Sequence, residues 1–320
     1  MRLSNKHIVH CGRCNPGCDE WNYSDSQLQE MIAPFCYFKS ADIDNEVTVK
    51  FILWDANGNM QDGTNGETAL LKYCSQYNPS MVFVNAQGVP SMFDNGLTVD
   101  MLRFRGIKVV FQWGDSVEIG LKHRIRNIAE KADLTILVDD PLFEQEIPDK
   151  LVWMWSFPPI SPSPVKPAKD IDVSFAGNVL RYPDRLRYIQ FVKDNNIPLF
   201  LCGGDSGFAT VGDVFNRSKI SLNFSLVNQG TKHQLKSRTI EAPAAFSLLM
   251  ESENPLISLM YEPFEEYIPF TNEQDLVDKI RYYLKNDSER EEITDRAFKK
   301  LVNNYTPQQW WKKVFDRLGI

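Results

Sequence analysis

The chain has 320 residues, a net charge of -7 and an apolar fraction of 43% that includes 20 phenylalanines. That length leaves room for two domains, each with a core of its own, and the apolar content excludes a disordered chain. The acidic balance weighs against non-specific binding to nucleic acid or to an anionic membrane.

The first half alternates strand-like and helix-like runs. "KHIVHCG" reads as a strand ending at Gly12, and "SDSQLQEMI" as a short helix. "VTVKFILWDA" is a strand, "GETALLKYCSQY" a helix and "SMVFVNAQG" a strand. "TVDMLRFRG" is a helix ending at Gly106, "IKVVFQWGDS" a strand, "GLKHRIRNIAEKA" a helix and "DLTILVDD" a strand. This alternation predicts βαβ units on a mostly parallel sheet. Ligands of such sheets sit beyond the carboxyl ends of strands. Gly12 to Asn15, Asp55, Asn85 to Gly88, Gly114 to Ser116, Asp139 and Asp140 fall at such ends.

A proline-rich stretch, "FPPISPSPVKPAKD", then interrupts the pattern, because proline fixes φ and removes a donor. It predicts a first domain over 1–160, a linker over 161–170 and a second domain over 171–305. Within the second, "IDVSFAGN" is a strand running into a glycine turn and "YPDRLRYIQFVKDNN" a helix opened by Pro183. "IPLFLCGG" and "KISLNFS" are strands separated by a helix or turn, "VGDVFNRS". A helix starts near Ser237 and carries Glu241, and "FSLLME" is a strand. "EQDLVDKIRYYLKN" and "SEREEITDRAFKKLVNNY" are helices. "TPQQWWKKVFDRL" is a final one over 306–320, with Thr306 as its cap. Two α/β domains imply a cleft between them.

No apolar run has the length of a membrane span, and the N-terminus lacks a signal peptide's apolar block. Six cysteines do not make a disulfide framework, so a reducing, cytoplasmic setting is expected. Cys11, Cys14 and Cys18 have the spacing C-x2-C-x3-C beside His10, with no second pair. Neither a zinc site nor an iron–sulfur cluster finds its fourth ligand there. No metal is expected, and the cysteines read as loop or core thiols. Gly12, Asn15, Pro16 and Gly17 form a polar turn, followed by Asp19, Glu20, Trp21 and Asn22. Gly12 permits close approach of a ligand. Such a turn suits the acceptor side of a cleft or a plain chain reversal, and a dinucleotide fingerprint is absent.

"SKISLNFSLVNQGTKHQLKSRTIEAPAAFSLLMESE", "DIDVSFAGN" and "YEPFEEYIPFTNEQDLVDKIRYYLKNDSEREEITDRA" resemble the C-terminal domain of GT-B glycosyltransferases. The likeness is to the CgeB-like, group 1 relatives. It covers about 170–305 and is weaker over 1–160, where "GRCNPGCDEWNY" carries it. It departs at Ala244, Ala245, Phe246 and Ser247, where many relatives have a glycine pair; this narrows or alters the donor loop.

The resemblance implies a GT-B fold of two Rossmann-like domains and transfer of a sugar from a nucleoside diphosphate sugar, UDP- or GDP-linked, to a hydroxyl acceptor. It implies no metal or other cofactor. Lys236 and Arg238 then face the diphosphate, where charge grows in the transition state. A helix terminus at Ser237 adds amide donors. Gly177 and Asn178 offer a close backbone approach, His233 lies beside the phosphates, and Glu241 accepts from the ribose. Asp115 is the first candidate for an acceptor base, with Asp19 and Glu20 next; a retaining enzyme needs none. Trp310 and Trp311 would bring the last helix back to the first domain. Two alternatives stand beside this: a nucleotide-binding module that has lost catalysis, and a transferase acting on bases in DNA. The second would use the basic content of "LRFRGIK" and "LKHRIRNIAEKA".

Overall fold

The computed structural model describes residues 6–13, 47–55, 57–86, 93, 96–114, 116, 121–143, 149–155, 165–180, 182–203, 208–227 and 232–320. The chain divides into two compact units, Met1–Met154 with Pro307–Ile320, and Trp155–Thr306.

The first unit is built on six strands: β1 (Lys6–Arg13), β2 (Val47–Trp54), β3 (Met81–Asn85), β4 (Lys108–Trp113), β5 (Leu134–Leu137) and β6 (Leu151–Trp153). They lie in the order β2-β1-β3-β4-β5-β6, and every pairing is parallel. A parallel sheet is covered on both faces, so its strands read as continuous apolar runs. Met81 to Val84 and Leu134 to Leu137 are buried without a break. Helices α1 (Gly66–Tyr77), α2 (Leu97–Phe104) and α3 (Leu121–Lys131) contribute Leu70, Leu102 and Ile125 to the core formed with Val9, Val82 and Phe111. Asn65 caps α1 by accepting from the Thr68 amide at 3.0 Å.

The second unit repeats the plan with β7 (Ile171–Ala176), β8 (Leu199–Cys202), β9 (Ser218–Asn223), β12 (Leu248–Ser252) and β13 (Ile268–Phe270), in the order β13-β12-β9-β7-β8. A small antiparallel hairpin, β10 (Leu226–Val227) and β11 (Lys232–His233), stands apart from that sheet. Helices α4 (Pro183–Asp194), α5 (Phe208–Arg217), α6 (Arg238–Ala244), α7 (Glu273–Lys285) and α8 (Asp287–Asn304) complete it. Pro183 opens α4, as its missing N–H costs nothing there. Asn272 accepts from the Asp275 amide at 2.9 Å, while Asp275 accepts from the Thr271 amide at 2.9 Å, so each end of the α7 cap holds the other.

The last helix, α9 (Pro307–Leu318), belongs to the first unit. Its Trp310 and Trp311 are buried, with ring centroids 6.1 and 5.6 Å from Phe83 of β3. Lys313 donates to the Trp153 carbonyl at 3.1 Å.

The sequence does not announce β6, β13 or the hairpin. At two or three residues they are too short for any periodicity to show. The units divide between Met154 and Trp155, ahead of the expected linker. Lys169, at the linker's end, donates to the Ala245 and Phe215 carbonyls at 2.6 and 3.3 Å. The described end of that stretch is therefore fixed to the second unit. The helix expected at "SDSQLQEMI" lies outside the described residues. Among the described residues, no helix is long and apolar enough to cross a membrane.

Candidate functional site

In both sheets the first strand lies between the second and third. The winding therefore reverses between β1 and β3, and again between β7 and β9. The carboxyl ends of strands at such a switch flank the crevice where α/β sheets take ligands. Gly12 is the penultimate residue of β1 at the first switch, and Gly177 follows β7 at the second.

Gly177 has φ +149°, and a Cβ there would lie 3.0 Å from the Phe175 ring. Only glycine suits that backbone. The Gly177 amide donates to the Cys202 carbonyl at 2.9 Å. The exposed Asn178 offers its carbonyl to Arg185 Nη1 at 2.5 Å. Arg185, on the first turn of α4, is 7% exposed and stacks over Tyr182 at 4.2 Å and Phe175 at 5.3 Å. Its Nε is buried without a hydrogen-bond partner. Burial pushes the Arg185 guanidinium down to about 10, Tyr182 opposes this, and the charge of Arg238 adds to it.

Arg238 reaches the same strand end from α6. Its Nε and Nη2 donate to the Ala176 carbonyl at 3.2 and 3.0 Å, and Nη1 donates to Ser237 Oγ at 2.8 Å. Glu241, one turn on, is 1% exposed, with Oε2 3.5 Å from Arg238 Nε and no hydrogen bond of its own. Burial raises the Glu241 carboxyl, while Arg238 and the Ser237 hydroxyl pull it down. Lys236 donates to Gln234 Oε1. His233 Nδ1 lies 3.0 Å from Ser225 Oγ, and its burial lowers the imidazole.

The helix expected near Ser237 is present but short, and it uses three of its own first amides. α6 has only seven residues. The Thr239 amide is taken by the Lys236 carbonyl at 3.1 Å, and those of Ile240 and Glu241 by Ser237 at 2.9 and 3.0 Å. These amides are spent within the turn.

The segment without a glycine pair has its own solution. Phe246 adopts φ +52°. Its amide donates to Pro243 at 3.1 Å and that of Ser247 to Ala242 at 3.0 Å, closing the helix as a left-handed residue does. Its ring stacks on Phe298 of α8 at 4.1 Å.

Arg185 is the member of this group that sequence reasoning missed. Its signal is weak: one charge among several in "YPDRLRYIQF". Gly177, Asn178, Arg238 and Glu241 come together with it. His233 and Lys236 stand nearer the end of β9, beside Ser225 and Gln234.

In the first unit, Asp55 accepts from the Asn57 and Asn59 amides at 2.8 and 2.9 Å, which closes its own loop. Ser116 donates to Asp139 at 2.5 Å, both buried, and Asp140 lies 3.5 Å from Lys122. His10 is 2% exposed between Phe51 and Phe83, and burial lowers it to about 4. Cys11 is buried, and its thiol is pushed well up by burial. Asp115, Asp19, Glu20, Asn15, Asn22, Cys14 and Cys18 lie outside the described residues. Among the described residues, no three His, Cys, Asp or Glu side chains are grouped to hold a metal.

Residues 163–316 match the glycosyl transferase-like family. None of the curated proteins matches the chain in sequence. Among solved structures, the fold is similar to HepE from Anabaena in complex with UDP-glucose, with a TM-score of 0.60 and 9% identity over 97% of this chain and 99% of that one. Sucrose-phosphate synthase from Thermosynechococcus elongatus follows at 0.59 and 10%, over 98% and 100%. S. aureus TarM, as a mutant in complex with fondaparinux, alpha-GlcNAc-glycerol and UDP, gives 0.57 and 13% over 80% and 59%. Residues 163–316 are thus similar to a glycosyl transferase-like domain, and the chain has the fold of the GT-B glycosyltransferases.

Proposed function

We propose, for a chain with the GT-B fold and a glycosyl transferase-like second unit, that it transfers a sugar from a nucleoside diphosphate sugar to a hydroxyl acceptor. The observation that carries this is the pair of guanidiniums, Arg185 and Arg238, at the carboxyl end of β7. Two cations share that strand end, and Glu241 is the one described carboxylate paired with them. A surplus of positive charge at a switch point, one guanidinium buried and the other 23% exposed, suits an anion, and a diphosphate is that anion. UDP is the favoured nucleotide, since HepE and TarM are described with it.

The acceptor oxygen bonds to the anomeric carbon as the bond from that carbon to the diphosphate oxygen breaks. The electron pair leaves on the diphosphate, where Lys236, Arg238 and Arg185 stabilise it. The acceptor proton goes to Asp115 if the reaction inverts, or to the departing diphosphate if it retains. Asp19 and Glu20 are the next candidates for that base. Gly12, Asn15 and Asn22 are assigned to the acceptor side. Glu241 Oε2, which has only Arg238 for company, is the acceptor left for a ribose hydroxyl. His233 borders the phosphates. The buried, unpaired Cys11, Cys74 and Cys202 suit a cytoplasmic setting.

The test is turnover. The protein is incubated with UDP-, GDP-, ADP- and TDP-glucose, and release of the diphosphate is followed. One of the four, UDP-glucose first, is expected to be hydrolysed slowly without an acceptor. A diphosphate that binds with no turnover of any sugar nucleotide, even with hydroxyl acceptors supplied, would favour the binding module. No binding and no turnover would remove the transferase.

A further inference from the structure

One carboxylate of the second unit has no part in the scheme above. Glu251 lies in β12, opposite Asn223 of β9 in the parallel register, and is 0% exposed. Its two oxygens accept from two different amides. Asn223 Nδ2 donates to Oε2 at 2.6 Å, and Asn254 Nδ2 to Oε1 at 3.3 Å. The Asn254 amide also reaches the Gln234 carbonyl at 3.4 Å, and Gln234 Oε1 accepts from the Lys236 ammonium. Glu251 is thereby tied to the segment that carries Lys236.

A side-chain NH2 group can only donate. Both Glu251 oxygens are therefore presented as acceptors, the geometry of an ionised carboxylate. Burial opposes that charge and holds the carboxyl up at about 7, while Asn223, Asn254 and the charge of Lys236 pull it down. The groups around it are few. Among the described residues, the neutral Asn223 faces it from β9, and the charge of Lys236 acts on it from the segment before α6. Tyr267, from the segment before β13, has its phenol pushed up to about 12, by burial first and then by Glu251 and Glu262. His233 of the hairpin is coupled to Glu253 instead.

We propose that Glu251 is the donor site's internal counter-charge: it shares Lys236 with the donor diphosphate and takes up a proton when the diphosphate binds. This rests on the placing of Lys236 at the diphosphate. Two anions that both draw on the charge of Lys236, one through the Asn254 and Gln234 links, repel each other in a low-dielectric interior. Protonating the carboxylate removes that repulsion. A proton from solvent forms an O–H bond on Glu251, and no bond of the donor changes. Linkage makes the effect reciprocal: a ligand that favours protonated Glu251 binds better where Glu251 is already protonated. Below about pH 7 the empty site holds the proton beforehand. Above it, binding must draw one from solvent, so affinity falls as pH rises.

UDP-glucose is the probe, because its diphosphate is esterified at both ends and does not titrate near neutrality. Calorimetry near pH 7, in buffers of low and high ionisation enthalpy, is expected to show uptake of up to about half a proton per site. Affinity is expected to fall about fivefold or more between about pH 6 and about pH 8.5. Glu251→Gln should still bind UDP-glucose, with no proton uptake and a nearly flat profile. The proton count on the unaltered protein stands even if that variant fails to fold. UDP-glucose binding without proton uptake, or with the same pH slope in Glu251→Gln, would overturn the inference and leave the donor site standing. No UDP-glucose binding at any pH would overturn the donor reading, and this inference with it.

Discussion

Trp310→Ala is expected to lower the stability of the first unit by about 3–5 kcal/mol, the range for a large buried aromatic replaced by alanine. Trp310 is 0% exposed and meets Trp311 edge-on at 4.9 Å. Both rings stand against Phe83, which lies in a central strand and stacks in turn on His10 at 5.6 Å. Alanine would open a void between α9 and the sheet, and the rigid rings around it cannot close inward to fill it. Urea unfolding followed by fluorescence and by hydrogen exchange separates the two units. The expected result is an earlier transition for amides of β1 and β3, with those of β9 and β12 unmoved. A shift of less than about 1 kcal/mol, or one confined to the second unit, would contradict the packing of α9 on this sheet.

Asp115→Asn is expected to reduce turnover by about 10²–10⁴, the usual contribution of a general base, with nucleotide affinity unchanged. In the sequence Asp115 lies between Gly114 and Ser116, two residues past the end of β4 at Trp113. Its neighbour Ser116 donates to Asp139 at 2.5 Å. Asparagine keeps the size of the side chain and removes its basicity. Steady-state kinetics with calorimetry on the same variant decides the matter. A loss in kcat with unchanged donor affinity supports the role, and full turnover removes Asp115 from the reaction and leaves a retaining route.

The parallel α/β plan is legible from the sequence because buried strands must be written as apolar runs, as in "MVFV" and "LTIL". Gly177 is legible because a glycine directly after a strand is a backbone requirement that no other residue meets. Arg238 and Glu241 are picked out by the resemblance of "KSRTIEA" to the GT-B C-terminal domain, and they lie 3.5 Å apart. Arg185 is not legible, since its burial comes from the meeting of α4 with Phe175 and the Asn178 carbonyl, which nothing local encodes. Glu251 is hidden for the same reason: its partner Asn223 is fixed by strand register across the sheet. The helix terminus at Ser237 was legible as a start, but its amides were not. Whether they are spare depends on how tightly the first turn closes.

The carboxyl end of β7 and the start of α6 are proposed to hold a nucleoside diphosphate. Calorimetric titration with UDP and GDP, set against uridine and guanosine, tests it most directly when repeated on Lys236→Ala, Arg238→Ala and Glu241→Ala. One diphosphate is expected to bind in the micromolar to millimolar range. Each cationic substitution should weaken it by roughly 10- to 150-fold while leaving the nucleoside nearly unchanged, as befits loss of one charge-assisted hydrogen bond. Glu241→Ala should weaken nucleoside and diphosphate alike. No diphosphate binding below about 5 mM, or equal losses for nucleoside and diphosphate in the cationic variants, would contradict the account.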